Sequence, residues 1–111
     1  MPETTSGSSF DRKLFVNIQG ELLPAESATV NAMDHGFLYG DSVYETIRTF
    51  EKTPFLLGRH LDRLQRSLGK IFLEMPCSRD ELEMQIQRTI DEVPIETDLI
   101  MRIVISRGVG P

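Results

Sequence analysis

A chain of 111 residues is one small domain or a piece of something larger, and 40% hydrophobic with 26% charged content fits an ordinary soluble globular core. The net charge of -5 argues against nucleic acid as the main partner, because a phosphate-reading surface needs a basic excess. One cysteine, Cys77, excludes an intrachain disulfide and fits a reducing, cytoplasmic compartment, while no apolar run approaches membrane-spanning length and Met1 to Ser9 lacks the order of a signal peptide.

Residues 1–12 read as a disordered N-terminal tail, polar and small in its first nine positions. Lys13 to Ile18 alternates like a strand, Gln19-Gly20 offers a turn and Glu21 to Leu23 a return, so a hairpin is expected before Pro24 stops it. Ala25 to Val30 then leads to a loop at Asn31 to Asp34. His35 to Asp41 (HGFLYGD) reads as a glycine-punctuated loop, with Phe37 and Tyr39 between Gly36 and Gly40. Ser42 to Phe50 is rich in Val, Tyr, Thr, Ile and Phe and reads as a strand. Its alternation puts Tyr44, Thr46 and Arg48 on one face and Val43, Glu45, Ile47 and Thr49 on the other. Glu51 to Thr53 is a polar turn, and Pro54 to Leu57 can pair back, extending an antiparallel meander.

From Gly58 the period changes from two to 3.6. Leu57, Leu61, Leu64, Leu68 and Ile71 form one apolar stripe on a helix that ends before Pro76. Ser78 with Glu81 three residues on is a capping box opening a second helix, whose stripe is Leu82, Ile86, Ile90 and Val93. Leu99 to Ser106 is an apolar final strand interrupted only by Arg102. The expected architecture is α+β, an antiparallel sheet covered by two helices over residues 13–107. Gly108 to Pro111 reads as the start of an interdomain loop, so more chain is expected to follow.

Four arginines carry possible chemistry. Arg48 shares a strand face with a phenol and a hydroxyl, a row that suits an anion as well as water. Arg63 borders the apolar stripe, where helix patterning alone favours a solvated or Asp-paired side chain but where it could also reach under the sheet. Arg102 interrupts a core strand and must face water, a partner or a ligand. Arg107 opens a glycine-rich loop at a strand end, a common place for a binding residue. Together they suggest recognition of phosphate and carboxylate, whose geometry the guanidinium fork matches. His35 and His60 have no metal-ligand spacing, and Cys77 reads as a structural thiol, so no metal site is expected.

HGFLYGDSVYETIR, then HLDRL, then RIVISRG resemble, in that order and spacing, the N-terminal domain of the class IV (fold type IV) pyridoxal-phosphate enzymes. These include branched-chain aminotransferases, D-amino-acid aminotransferases and 4-amino-4-deoxychorismate lyase. The resemblance runs from about Leu14 to Pro111. It implies that Arg63, matching the H-x-x-R-L arginine, grips the 5′-phosphate of pyridoxal phosphate. It implies substrate contacts for Tyr44 and Arg48, for Arg102 as the strand arginine of branched-chain enzymes, and for Arg107 as the S/T-R-G arginine of D-amino-acid enzymes. Where branched-chain enzymes often have a tyrosine two residues before the strand arginine, Ile100 stands here, and the presence of both Arg102 and Arg107 mixes the subgroup signatures.

The resemblance further implies a homodimer, with Phe37 and Tyr39 serving the partner's site, and an amino acid and a 2-oxo acid as substrates. The family's Schiff-base lysine and the glutamate that keeps the pyridine nitrogen protonated belong to a C-terminal catalytic domain that is absent from these residues. Lys13, Lys52 and Lys70 are no substitutes for that lysine, so these 111 residues alone are expected to be inactive and to have no catalytic residue. The reading is an aminotransferase domain. Its alternatives are a lyase releasing p-aminobenzoate and pyruvate, and a stand-alone domain binding anions or a partner chain.

Overall fold

The computed structural model describes residues 14–110; the expected tail over residues 1–12, the strand start at Lys13 and the final Pro111 lie outside the described residues. β1 (Phe15–Ile18) and β2 (Glu21–Pro24) pair antiparallel from Phe15 opposite Pro24 to Ile18 opposite Glu21. Gln19 and Gly20 turn between them at φ 51° and 100°, a two-residue turn that matches the strands' own twist. Pro24 is the last residue of β2 and not a stop outside it, which an edge position allows because no ladder donor is needed there. A short 3-10 turn, Ala25–Ser27, follows.

The expected glycine loop is in part a helix. α1 (His35–Tyr39) starts where Asp34 Oδ1 accepts from the Gly36 amide at 2.7 Å and ends where Gly40 turns left-handed at φ 68°. Five residues bracketed by a cap at each end give too short a window for helical periodicity to register in the sequence. Gly36 is required for closeness: a Cβ there would sit 2.8 Å from Ser106 Cβ and 2.9 Å from Asp34 Oδ1.

β3 (Ser42–Phe50) is the central strand of a three-stranded sheet, between β4 (Thr53–Pro54) and β5 (Ile100–Ser106), and β1 with β2 forms a separate ladder. The expected continuous meander is therefore broken between β2 and β3. β4 is only Thr53–Pro54, shorter than the expected Pro54 to Leu57 strand, because Leu56 at φ 56° redirects the chain into α2 (Leu57–Lys70). β5 (Ile100–Ser106) pairs with β3 along seven positions, from Ser42 opposite Ser106 to Arg48 opposite Ile100.

α3 (Arg79–Glu92) opens as the capping box requires, with Ser78 Oγ accepting from the Glu81 amide at 3.1 Å. Both helices lie on one face of the sheet. Leu61, Leu64, Ile86 and Ile90 form the core cluster, joined from β3 and β5 by Val43, Met101, Ile103 and Ile105. Lys52 fastens the β3–β4 turn to the end of α3, its ammonium donating to the carbonyls of Ile95 (3.0 Å) and Ile90 (3.4 Å).

Candidate functional site

Alternation along β3 sorts its side chains as the sequence implies. Glu45, Ile47 and Thr49 are buried under the helices; Tyr44, Thr46, Arg48 and Phe50 are exposed on the opposite face. β5 adds Ile100, Arg102 and Val104 to that open face, with Val104 opposite Tyr44 and Arg102 opposite Thr46. The Arg102 guanidinium lies over the Tyr44 ring, 4.8 Å from its centre. Tyr44, Arg48 and Arg102 thus share one uncovered face, a phenol and two cations able to meet a carboxylate.

Arg63 is on the other side of the sheet. It reaches under β3 to Glu45, with Nε donating to Oε2 and Nη2 to Oε1, both at 2.8 Å. His60, one turn earlier on α2, places Nδ1 2.7 Å from the same Oε1. Glu45 is only 5% exposed, so both partners serve to satisfy a buried charge. The Arg63 hydrogen bonds hold its carboxyl below the usual 4.5 despite the opposing push of burial, and His60 adds to the lowering. Glu45 in turn raises the Arg63 guanidinium further from deprotonation.

Sequence reasoning set Glu45 on the face shared with Val43, Ile47 and Thr49 and weighed His60 only as a metal ligand, so it missed their shared role. The signal was present: a carboxylate between Val43 and Ile47 on a core face requires cationic or donor partners, and His60 and Arg63 are spaced i, i+3 at the edge of the facing helix stripe.

Arg63 also lines an open hollow with Leu56, Arg59, His60, Asp62 and Arg66. Asp62 is bonded by Arg79, which lowers its carboxyl pKa. Arg63 Nη1 makes no hydrogen bond among the described residues. Three guanidiniums around one hollow, one held rigidly, form a donor set suited to a phosphate dianion.

Arg107 joins neither group. Its Nε bonds Asp41, and Nη2 donates at 2.7 Å to the Ile71 carbonyl at the end of α2, where a cation suits the helix dipole. The loop it opens is tied back to α1: the His35 amide donates to the Gly108 carbonyl at 2.9 Å, Ser106 Oγ donates to Asp34 Oδ2 at 2.9 Å, and His35 Nε2 is 2.9 Å from the Gly110 carbonyl. Phe37 and Tyr39 on α1 are 70% and 73% exposed. Cys77 is half-buried, and burial followed by the Glu81 charge raises its thiol pKa, consistent with an unreactive thiol. No helix among the described residues is long and apolar enough to cross a membrane.

The family model for amino-transferase class IV matches residues 42–111, which contain β3, both long helices and β5. A putative branched-chain-amino-acid aminotransferase of Methanocaldococcus jannaschii is 35% identical over 98 residues, covering 88% of this chain and 33% of that protein. A D-alanine aminotransferase of Listeria monocytogenes is 35% identical over 94 residues, covering 85% and 32%. The crystal structure of a branched-chain aminotransferase from Thermoproteus uzoniensis with norvaline superimposes with a TM-score of 0.69 at 31% identity, over 78% of this chain and 31% of that one. The chain therefore spans about a third of the length of the curated relatives it matches. The α+β fold is that of these neighbours, and the sequence match extends over more than half of the chain: it belongs to the amino-transferase class IV family.

Proposed function

We propose that these residues form the N-terminal domain, over residues 13–107, of a pyridoxal-phosphate-dependent aminotransferase that acts on an amino acid and a 2-oxo acid. The observation that carries the reading is the Arg63 guanidinium, fixed by buried Glu45 beside a hollow with two further arginines. When bound, pyridoxal phosphate supplies the electron-accepting ring through which an amino group can be exchanged. Arg63 would hold its phosphate, with Arg59 and Arg66 adding positive potential.

Tyr44, Arg48 and Arg102 would orient the substrate carboxylate on the open face; Arg107, whose Nε and Nη2 already serve Asp41 and the Ile71 carbonyl, stands apart from them. β4 pairs only with Thr49 and Phe50, so among the described residues no strand covers the β3 edge from residue 42 to residue 47. That edge lies between the face of the sheet that Arg63 reaches and the face that carries Tyr44, Arg48 and Arg102. Lys52 is engaged by two carbonyls and Lys70 sits in the last turn of α2, so we assign the covalent lysine to residues outside these 111, which alone would be inactive. Phe37 and Tyr39 would meet a second subunit of a cytoplasmic homodimer.

The test supplies the complete protein with pyridoxal phosphate, leucine or D-alanine as donor and a 2-oxo acid as acceptor, and measures the new amino acid. Product dependent on the added cofactor is expected. Pyruvate released from aminodeoxychorismate with no acceptor would assign the lyase instead. Failure to bind the cofactor would leave an anion- or partner-binding domain.

A further inference from the structure

We infer that Glu45 and His60 are positioning residues for phosphate recognition by Arg63, an inference that rests on the cofactor reading above. A free arginine side chain samples many rotamers, and holding it for a ligand costs binding affinity. Here the guanidinium is fixed before any ligand arrives. Glu45 takes Nε and Nη2 in a two-point grip, and the grip is itself rigid because the carboxylate is buried in the sheet, opposite Ile103 on β5. His60 completes the arrangement by bonding Oε1, the oxygen it shares with Arg63 Nη2. The carboxylate therefore cannot turn without losing a second partner.

Two effects of Glu45 oppose each other. Its negative charge lowers the potential felt by an incoming dianion, while its geometry removes the orientational freedom of Arg63. Because Arg59 and Arg66 also line the hollow, the positive potential there does not depend on Arg63 alone. Two-point geometry is specific to Arg63, so positioning is the larger effect.

Glutamine at position 45 separates them. It keeps the size and removes the charge, but its amide nitrogen would face an arginine N–H donor to donor, so the grip becomes single and the fork turns. If charge dominated, Glu45→Gln would tighten phosphate binding. If positioning dominates, it weakens it.

The experiment measures dissociation constants of the complete protein for pyridoxal phosphate and for pyridoxal, which lacks the phosphate, by absorbance titration. Glu45→Gln is expected to weaken pyridoxal phosphate by about tenfold to a hundredfold, the worth of a charge-assisted contact, and to leave pyridoxal within about twofold. Glu45→Gln combined with Arg63→Ala should bind no more weakly than Arg63→Ala alone. Glu45→Asp, which keeps the charge on a shorter arm, and His60→Gln, which keeps one donor, should give smaller losses and remain usable if Glu45→Gln fails to fold. Equal weakening of both ligands would reveal a merely structural role, and unchanged or tighter pyridoxal phosphate binding would show that charge outweighs position; either overturns the inference. Unchanged binding in Arg63→Ala would instead remove the cofactor reading on which it stands.

Discussion

Arg63 meets Glu45 with two parallel hydrogen bonds although the two side chains live in different solvents: the carboxylate side chain is 4% exposed and the guanidinium side chain 60%. The pair thus runs from the sheet's covered face out to the surface. Water screens its outer end, so its worth comes mainly from satisfying the inner one.

Acid should weaken the fold through this carboxylate. The Glu45 carboxyl titrates lower in the folded chain than its ordinary 4.5, so its contribution is complete above that value and is lost as pH falls through the folded value. Glu45→Gln should cost about 1 to 2 kcal/mol near pH 7. In urea titrations, the gap between wild type and variant should narrow as the pH falls below 4.5 and through the lower folded value. A gap independent of pH would contradict this assignment.

Two glycines should respond with opposite signs. Gly36→Ala puts a methyl 2.8 Å from Ser106 Cβ, between a helix and a strand neither of which is a flexible tip; a loss of about 1 to 3 kcal/mol is expected. Gly69→Ala meets nothing within 4 Å on α2 and should gain up to about 1 kcal/mol in helix propensity. Thermal melts of the two variants compare them directly.

Leu64 is 0% exposed in the cluster that joins both helices to the sheet. Leu64→Ala should cost about 2 to 5 kcal/mol by chemical denaturation. A loss below about 1 kcal/mol would mean that the cavity refills by local collapse.

Tyr44 and Arg102 stack in the open, so their coupling should be small. A double-mutant cycle with Tyr44→Leu and Arg102→Met is expected to return about 0.5 to 1 kcal/mol. The same cycle with Tyr44→Phe, which keeps the ring, should return a value close to zero for the hydroxyl itself.

Much of this architecture is legible in the sequence because its signals are long. The Leu61, Leu64, Leu68 stripe, the Ser78 to Glu81 capping box and the two faces of β3 each span enough residues for periodicity to speak. The short elements are not. α1 depends on a cap at either end of five residues, and β4 is cut to two residues by a single left-handed Leu56. Among candidate site residues, Tyr44 and Arg48 could be assigned to a common face by alternation, but the Arg63 grip required knowing which strand lies beneath the helix. Pairing between residues 18 positions apart is a tertiary fact, and only the misplaced charge of Glu45 hinted at it. Arg107 shows the converse: a loop position suggested a free ligand contact, and the fold gives it two protein partners.

Among the described residues the helices cover one side of β3 and nothing covers the other, so odd and even positions of that strand answer to different demands. Residues 45, 47 and 49 face the interior, and changing them costs stability. Residues 44, 46, 48 and 50 can exchange phenol, hydroxyl, guanidinium or aromatic ring at little cost to the core. One nine-residue strand can therefore change its exposed chemistry at every second residue, with the core held constant by the residues between.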